Sequence, residues 1–215
     1  MAAQSLPFGS SLPYGEFLVN GLKNDPPLLE NDPTVGYKLN HTMLRIRDPE
    51  KSFHFYITLM GMRTVFAFNI GPVNAYYLGY PKTPEHRADL KKFGQETVDV
   101  LRQTEGLIEL VHIKGSENQP DGYYKNGNEP PDLGYGHLGF TVPDVSSALE
   151  RLKMHGVEVV KDLGEETTLD SIKVSKWEND LGVGVEVMGT ETELHPTFKS
   201  ILQNIAFIRD PNAGI

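Results

Sequence analysis

The chain contains no cysteine, which excludes a disulfide frame, a thiolate metal site and a thiol nucleophile. Any metal must therefore be held by histidine and carboxylate side chains. Positive charge is also scarce: 20 Lys and Arg stand against 29 Asp and Glu, for a net charge of −9. Nucleic acid and anionic membrane surfaces attract clustered cations, so neither is expected as a partner. No run approaches the roughly eighteen apolar residues that a membrane-spanning helix needs. Residues 1–17 lack the basic start and apolar stretch of a secretion signal, so a cytoplasmic protein is expected. What is present is ordinary for a folded chain: 39% hydrophobic and 23% charged over 215 residues, enough for one large domain or two small halves.

Residues 1–36 are rich in Pro, Gly, Ser and Asn, with Pro7, Pro13, Pro26, Pro27 and Pro33 spread along them. They read as an extended arm with one helical turn around Gly15–Leu22. Phe17, Leu18, Leu28 and Leu29 favour burial, so an arm packed on a partner subunit and a loose tail both stand open.

An internal repeat follows. The stretch from Leu39 to Asp48 lines up with that from Tyr135 to Asp144, with an Asp seven residues after His41 and after His137. Each Asp precedes an amphipathic helical pattern: Phe53, Tyr56, Ile57 and Met60 in the first copy, Val145, Ala148, Leu149 and Leu152 in the second. Asp48 and Asp144 suit N-caps, Pro49 suits a first helical position, and Gly61 and Gly156 suit C-terminal stops. β-rich stretches follow at Met62–Phe68 and Val157–Val160. The first copy continues with strands at Val73–Leu78 and Leu107–Ile113 and a surface helix over Asp89–Leu101 between them. The second is interrupted by an insertion of about 162–200, then resumes with a strand over Gln203–Ile208.

Strand periodicity places His41, Met43 and Arg45 on one face. Glu109 shares a face with Leu107, Val111 and Ile113, where a carboxylate needs a partner if that face is buried. His137 matches His41 in the repeat. If a pseudo-two-fold relates the copies, the two imidazoles and Glu109 converge and could bind Zn²⁺ or another divalent ion. An ordinary hydrogen-bonded histidine is the competing reading. His54 and His155 read as surface residues, His86 and His195 sit in polar segments, and His112 points away from Glu109. The glycines of 182–185 lack the lysine and the following helix of a phosphate loop.

These residues resemble the glyoxalase I (lactoylglutathione lyase) family of the vicinal oxygen chelate superfamily. The resemblance is carried by His41-Thr42-Met43-Leu44-Arg45-Ile46-Arg47-Asp48-Pro49, Ile108-Glu109-Leu110-Val111-His112, Gly134-Tyr135-Gly136-His137-Leu138-Gly139-Phe140 and Ala206-Phe207-Ile208-Arg209-Asp210-Pro211. It implies an α+β fold of paired βαβββ modules with a long N-terminal arm. The first module would span 37–125, and the second 126–215 with the insertion and a shortened last strand. It implies a homodimer and a divalent ion, zinc first, nickel or cobalt otherwise, held by His41, Glu109 and His137. It further implies a small-molecule substrate, the hemithioacetal of methylglyoxal and glutathione, isomerised to a hydroxyacyl thioester. Glu109 would be the catalytic base, and Arg45, Asn126 and Lys161 the substrate contacts. The family's fourth ligand, a Glu after the final turn, has no counterpart before Ile215; Glu186 is the nearest imitation. Ile113, Leu133 and Ile201 stand where the family has polar glutathione contacts. A more apolar substrate, or a binding protein without turnover, is the alternative.

Overall fold

The computed structural model describes residues 26–166, 175–183 and 196–212. Strand β1 (His41–Ile46) runs into Asp48, whose carboxylate accepts from the backbone N–H groups of Glu50 and Lys51 and starts α1 (Pro49–Phe53). The turn then widens into a π-helical stretch, His54–Leu59, closed by a bond from Met60 N–H to the Phe55 carbonyl. Gly61, at φ +79°, stops the helix in a left-handed conformation that other residues resist. β2 (Arg63–Asn69) and β3 (Val73–Gly79) form a hairpin. Two helices follow, α2 (Pro84–Ala88) and α3 (Leu90–Asp99), where one was expected. α2 buries no residue, so it has no apolar stripe to read, though Thr83 and Pro84 mark its start. β4 (Leu107–Ile113) then matches its expected bounds.

The four strands form one sheet in the order β1-β4-β3-β2, with β1 and β4 parallel and the other neighbours antiparallel. One face carries the core: Ile46, Leu78, Ile108 and Leu110 pack under Phe55, Tyr56, Leu59 and Met62, all buried. Each such aliphatic side chain contributes about 1.5–3 kcal/mol by leaving water. The opposite face carries His41, Met43, Glu109 and Tyr77. Its ladder sets Met43 against Glu109 across β1 and β4, and Tyr77 against Glu109 across β3 and β4.

The second copy begins the same way and ends differently. Asp144 accepts from Ser147 N–H and caps α4 (Val145–Met154), whose Leu149 and Leu152 are buried; Leu152 joins the core of the first sheet. Gly156 stops the helix at φ +77°. β5 (Val159–Lys161) pairs antiparallel with β6 (Phe207–Ile208). The stretch from Tyr135 that lines up with β1 is not part of any ladder among the described residues. Strand propensity alone is insufficient without a partner edge. The strand expected over Gln203–Ile208 shrinks to two residues, because α6 (Pro196–Gln203) claims its start. The insertion also holds α5 (Lys176–Asp180), begun by a reciprocal Ser175–Glu178 cap.

The copies are tied by polar contacts at the chain's far end. The Tyr56 hydroxyl donates to Asp210 Oδ2 at 2.7 Å, and Arg47 N–H donates to Asn212 Oδ1 at 3.0 Å. In the arm, Leu28 and Leu29 remain 66% and 61% exposed on this single chain. The turn expected at Gly15–Leu22, like Phe17 and Leu18, lies outside the described residues. No helix among the described residues is long and apolar enough to cross a membrane.

Candidate metal and active site

The site is built from the residue just before β1. Asn40 donates both side-chain amide hydrogens, to the carbonyls of Leu101 and Thr104, each at 2.8 Å. Its Oδ1 can then only accept, and it lies 2.8 Å from His41 Nδ1. That nitrogen therefore carries a hydrogen, and in the neutral ring Nε2 presents its lone pair. Nε2 faces Glu109 Oε2 at 3.5 Å. Two electron-rich atoms turned toward each other call for a proton or a cation between them. An imidazole nitrogen oriented through its second nitrogen, beside a carboxylate oxygen, is a donor set that suits zinc and its first-row neighbours. The residues present thus fit a divalent ion, as two of the ligands it needs.

Tyr77 completes this cluster, and the sequence reading missed it. Its ring meets the His41 imidazole edge-on at 5.1 Å and stacks on Phe66 at 4.3 Å with an 18° tilt. Partial burial, together with the facing Glu109 carboxylate, raises the phenol above its ordinary range. The only signal was its alternate position along β3. The β3–β4 register that sets it opposite Glu109 depends on contacts distant in sequence.

His137 does not join the pair. It is exposed and stands edge-on to Phe207, with ring centroids 5.7 Å apart. Among the described residues no three His, Asp or Glu side chains meet in a metal-holding group. The sequence expected the two imidazoles and Glu109 to converge if a pseudo-two-fold relates the copies; within this single chain they do not. Instead, the segment carrying His137 packs beside β6 in its own copy of the repeat, and no ladder draws it onto the first sheet. Glu186 and His195 lie outside the described residues.

A cavity of about 680 Å³ opens between the copies, and neither His41 nor Glu109 is among its lining. Met43 and Arg45 of β1 reach it from one side, and Asn126, Leu133 and Tyr135 from the other. The loop bearing Asn126 is fixed by Gly127, at φ +76°, where a Cβ would come within 2.4 Å of the Tyr135 carbonyl oxygen. Asn128 adds a bond from its amide to the Gly136 carbonyl at 2.7 Å. Asn126 itself accepts from Asn128 N–H, which orients its side chain at the cavity wall. Arg45 and Asn126 are therefore brought to one cavity. Lys161 is not among its lining. Its ammonium donates to the carbonyls of Asp162, Leu202 and Ile205 and so satisfies the end of α6.

Of the other histidines, His112 is buried and hydrogen-bonded to Glu117, 2.8 Å from its carboxylate. His86 pairs with Glu96 at 2.7 Å. His54 and His155 face each other edge-on, their rings 6.2 Å apart.

Comparison with known proteins gives these positions a context. The chain is 37% identical over 137 residues to glyoxalase I of Saccharomyces cerevisiae, an overlap covering 63% of this chain and 40% of that protein. It is 38% identical over 139 residues to a lactoylglutathione lyase of Pseudomonas aeruginosa, covering 60% of this chain and 72% of that one. The chain thus spans less than half the length of the yeast relative. The solved structure of Leishmania major glyoxalase I overlaps 82% of this chain and 81% of its own, with 18% identity and a TM-score of 0.46. The family model of the Glyoxalase/Bleomycin resistance protein/Dioxygenase superfamily matches residues 38–174, a span that holds the whole four-stranded sheet, the His41–Glu109 pair and α4, and the chain belongs to that superfamily.

Proposed function

We propose that the chain is a lyase of the lactoylglutathione lyase type. It would isomerise the hemithioacetal of methylglyoxal and glutathione to a hydroxyacyl thioester in the cytoplasm. The observation that carries this reading is the His41 Nε2 lone pair aimed at Glu109 Oε2 across 3.5 Å, with the imidazole's other nitrogen held by Asn40. The relatives named glyoxalase I and lactoylglutathione lyase support the same chemistry.

His41 and Glu109 would hold a divalent ion, zinc or alternatively nickel or cobalt. His137 of a second copy of the chain would complete the ligand set, which makes the homodimer part of the proposal. When bound, the ion supplies positive charge where negative charge develops on the substrate oxygens. Glu109 removes the proton from the carbon bearing sulfur and hydroxyl and returns it to the neighbouring carbonyl carbon. The C–H bond broken on one carbon is remade on the next, and the hydroxyl proton passes to the former carbonyl oxygen, so no redox cofactor is consumed. Arg45, exposed at the cavity mouth, would meet a carboxylate of the substrate, and Asn126 would hydrogen-bond its amides. The expected contact from Lys161 would require it to leave three carbonyls.

One observation favours a second reading, a more apolar substrate without glutathione. Leu133 lines the cavity among Met60, Leu138, Phe140 and Val142. A polar tripeptide there would leave hydrogen-bonding groups unpaired at about 1–3 kcal/mol each.

The test is thioester formation from methylglyoxal and glutathione by metal-loaded protein, alongside the Glu109→Gln variant. Glu109→Gln should lower kcat by about 10²- to 10⁴-fold. Unchanged turnover in that variant removes Glu109 from the reaction. Bound metal with no thioester formed in the parent protein favours the apolar substrate.

A further inference from the structure

On the core face of the first sheet, and independent of the proposed chemistry, we infer that His112 is a proton-dependent clamp: as an imidazolium it ties β3, β4 and the turn after β4 together, and the neutral ring lets one of those ties go. His112 alternates with Ile108 and Leu110 along β4 and is buried like them. Its Nε2 lies 2.8 Å from Glu117 Oε2. Its Nδ1 is buried without a hydrogen-bond partner among the described residues, and so is Asn74 Oδ1. The register sets Asn74 directly opposite His112 across β3 and β4. Side chains so placed share a face, with Cβ atoms about 4.5–5.5 Å apart. The two orphaned atoms therefore belong to neighbouring side chains.

A carboxylate and an amide oxygen can only accept. A neutral imidazole has one donor nitrogen, so neither tautomer can serve both. Only the imidazolium donates from both nitrogens. A buried imidazolium needs a paired anion, and Glu117 supplies it. The Glu117 carboxyl is held below its ordinary range by its own backbone first and by His112 next, so it stays ionised from about pH 5 to 8, where imidazole changes charge. The same carboxylate accepts from Gly115 N–H at 2.8 Å and closes the turn. Three other charged groups surround this corner. Arg47, at the end of β1, donates to the carbonyls of Glu117 and Gln119 and pairs with Asp121. Asp48 is taken up in capping α1. Lys114 donates to Asn69 Oδ1 at 3.2 Å. Arg47 keeps its charge throughout this pH span, so the His112 tie is the one that responds to protons. Beyond Asp121 the chain runs to Tyr124 and Asn126 in the cavity wall. The clamp thus sets how firmly that wall is anchored.

The experiment uses the full chain at about pH 5.5 and about pH 8, on either side of the imidazole transition. ¹⁵N spectra of the His112 ring report which nitrogens carry hydrogen. Hydrogen exchange of the Gly115 and Gln119 amides, corrected for the intrinsic pH dependence of exchange, reports how firmly the turn is held. The ring should carry hydrogen on both nitrogens at the lower pH and on one at the higher. Protection of the two amides should fall about 10-fold between them, the loss of one hydrogen bond to a charged group. Glu117→Gln keeps the side chain's shape and removes its charge, and should abolish most of that fall. Asn74→Leu removes the second acceptor at similar volume and should shrink it. A singly protonated ring at the lower pH, or equal wild-type protection at both, overturns the clamp. A fall that persists unchanged in both variants belongs to another group and overturns it as well.

Discussion

The two copies of the repeat share their local signals and part company at the sheet. Each has an Asp cap, a helix with an apolar stripe and a left-handed glycine at its end. In the first copy these lead to four strands in one ladder; in the second, the described residues yield a two-stranded ladder and an extended stretch bearing His137. Caps and stops are decided within a few residues of sequence. A ladder is decided by whether a distant strand arrives to accept its hydrogen bonds. The lesson is that duplicated sequence duplicates punctuation more faithfully than it duplicates sheet.

If the first sheet carries most of the stability, the largest loss should come from its centre. Leu110→Ala, at a side chain with no exposure, should cost about 2–5 kcal/mol in urea unfolding. The half-buried Ile208→Ala of β6 should cost clearly less, and equal losses would remove the asymmetry. The link between the copies comes next. Tyr56→Phe deletes a bond to a carboxylate and should cost about 1.5–3 kcal/mol at neutral pH. Its pH dependence sharpens the point. Burial first, and then Asp210, push the Tyr56 phenol far above its ordinary value of 10.0. The unfolded phenol ionises near pH 10 while the folded one stays protonated, so wild type should lose stability as pH rises above about 10. Tyr56→Phe lacks that loss, and the gap between the two proteins should narrow there. The smallest effect belongs to the punctuation. Asp48→Ala removes the acceptor for two N–H groups and should lower stability by about 1 kcal/mol, read as a small decrease in thermal midpoint.

Much of this architecture was legible in the residues. β4 was readable because Leu107 to Ile113 is an unbroken strand-forming run bounded by Gly106 and Gly115. The helices after Asp48 and Asp144 were readable from cap, stripe and glycine. Period two set His41 with Met43 and Arg45 and Glu109 with Leu107 and Val111, but the parallel pairing of β1 and β4 that joins those two faces comes from contacts distant in sequence. The position of His137 was not readable, because repeat equivalence fixes a place within its own copy and says nothing of which sheet that copy joins. Tyr77 escaped for a related reason: its partner is chosen by cross-strand register. Lys161 was read from its similarity in position to a ligand contact, yet the end of α6 captures its ammonium. The helix responsible lies more than thirty residues further along the chain.

Asn40 has a consequence for how readily the cluster could take up a ligand. Its amide is already locked by two carbonyls, so the neighbouring imidazole has its tautomer selected when the chain folds. The rotational entropy of that ring is lost once, during folding, and not again at each encounter. A preorganised donor of this kind shortens the list of rearrangements between collision and capture, and it makes a residue that touches no ligand a determinant of binding kinetics.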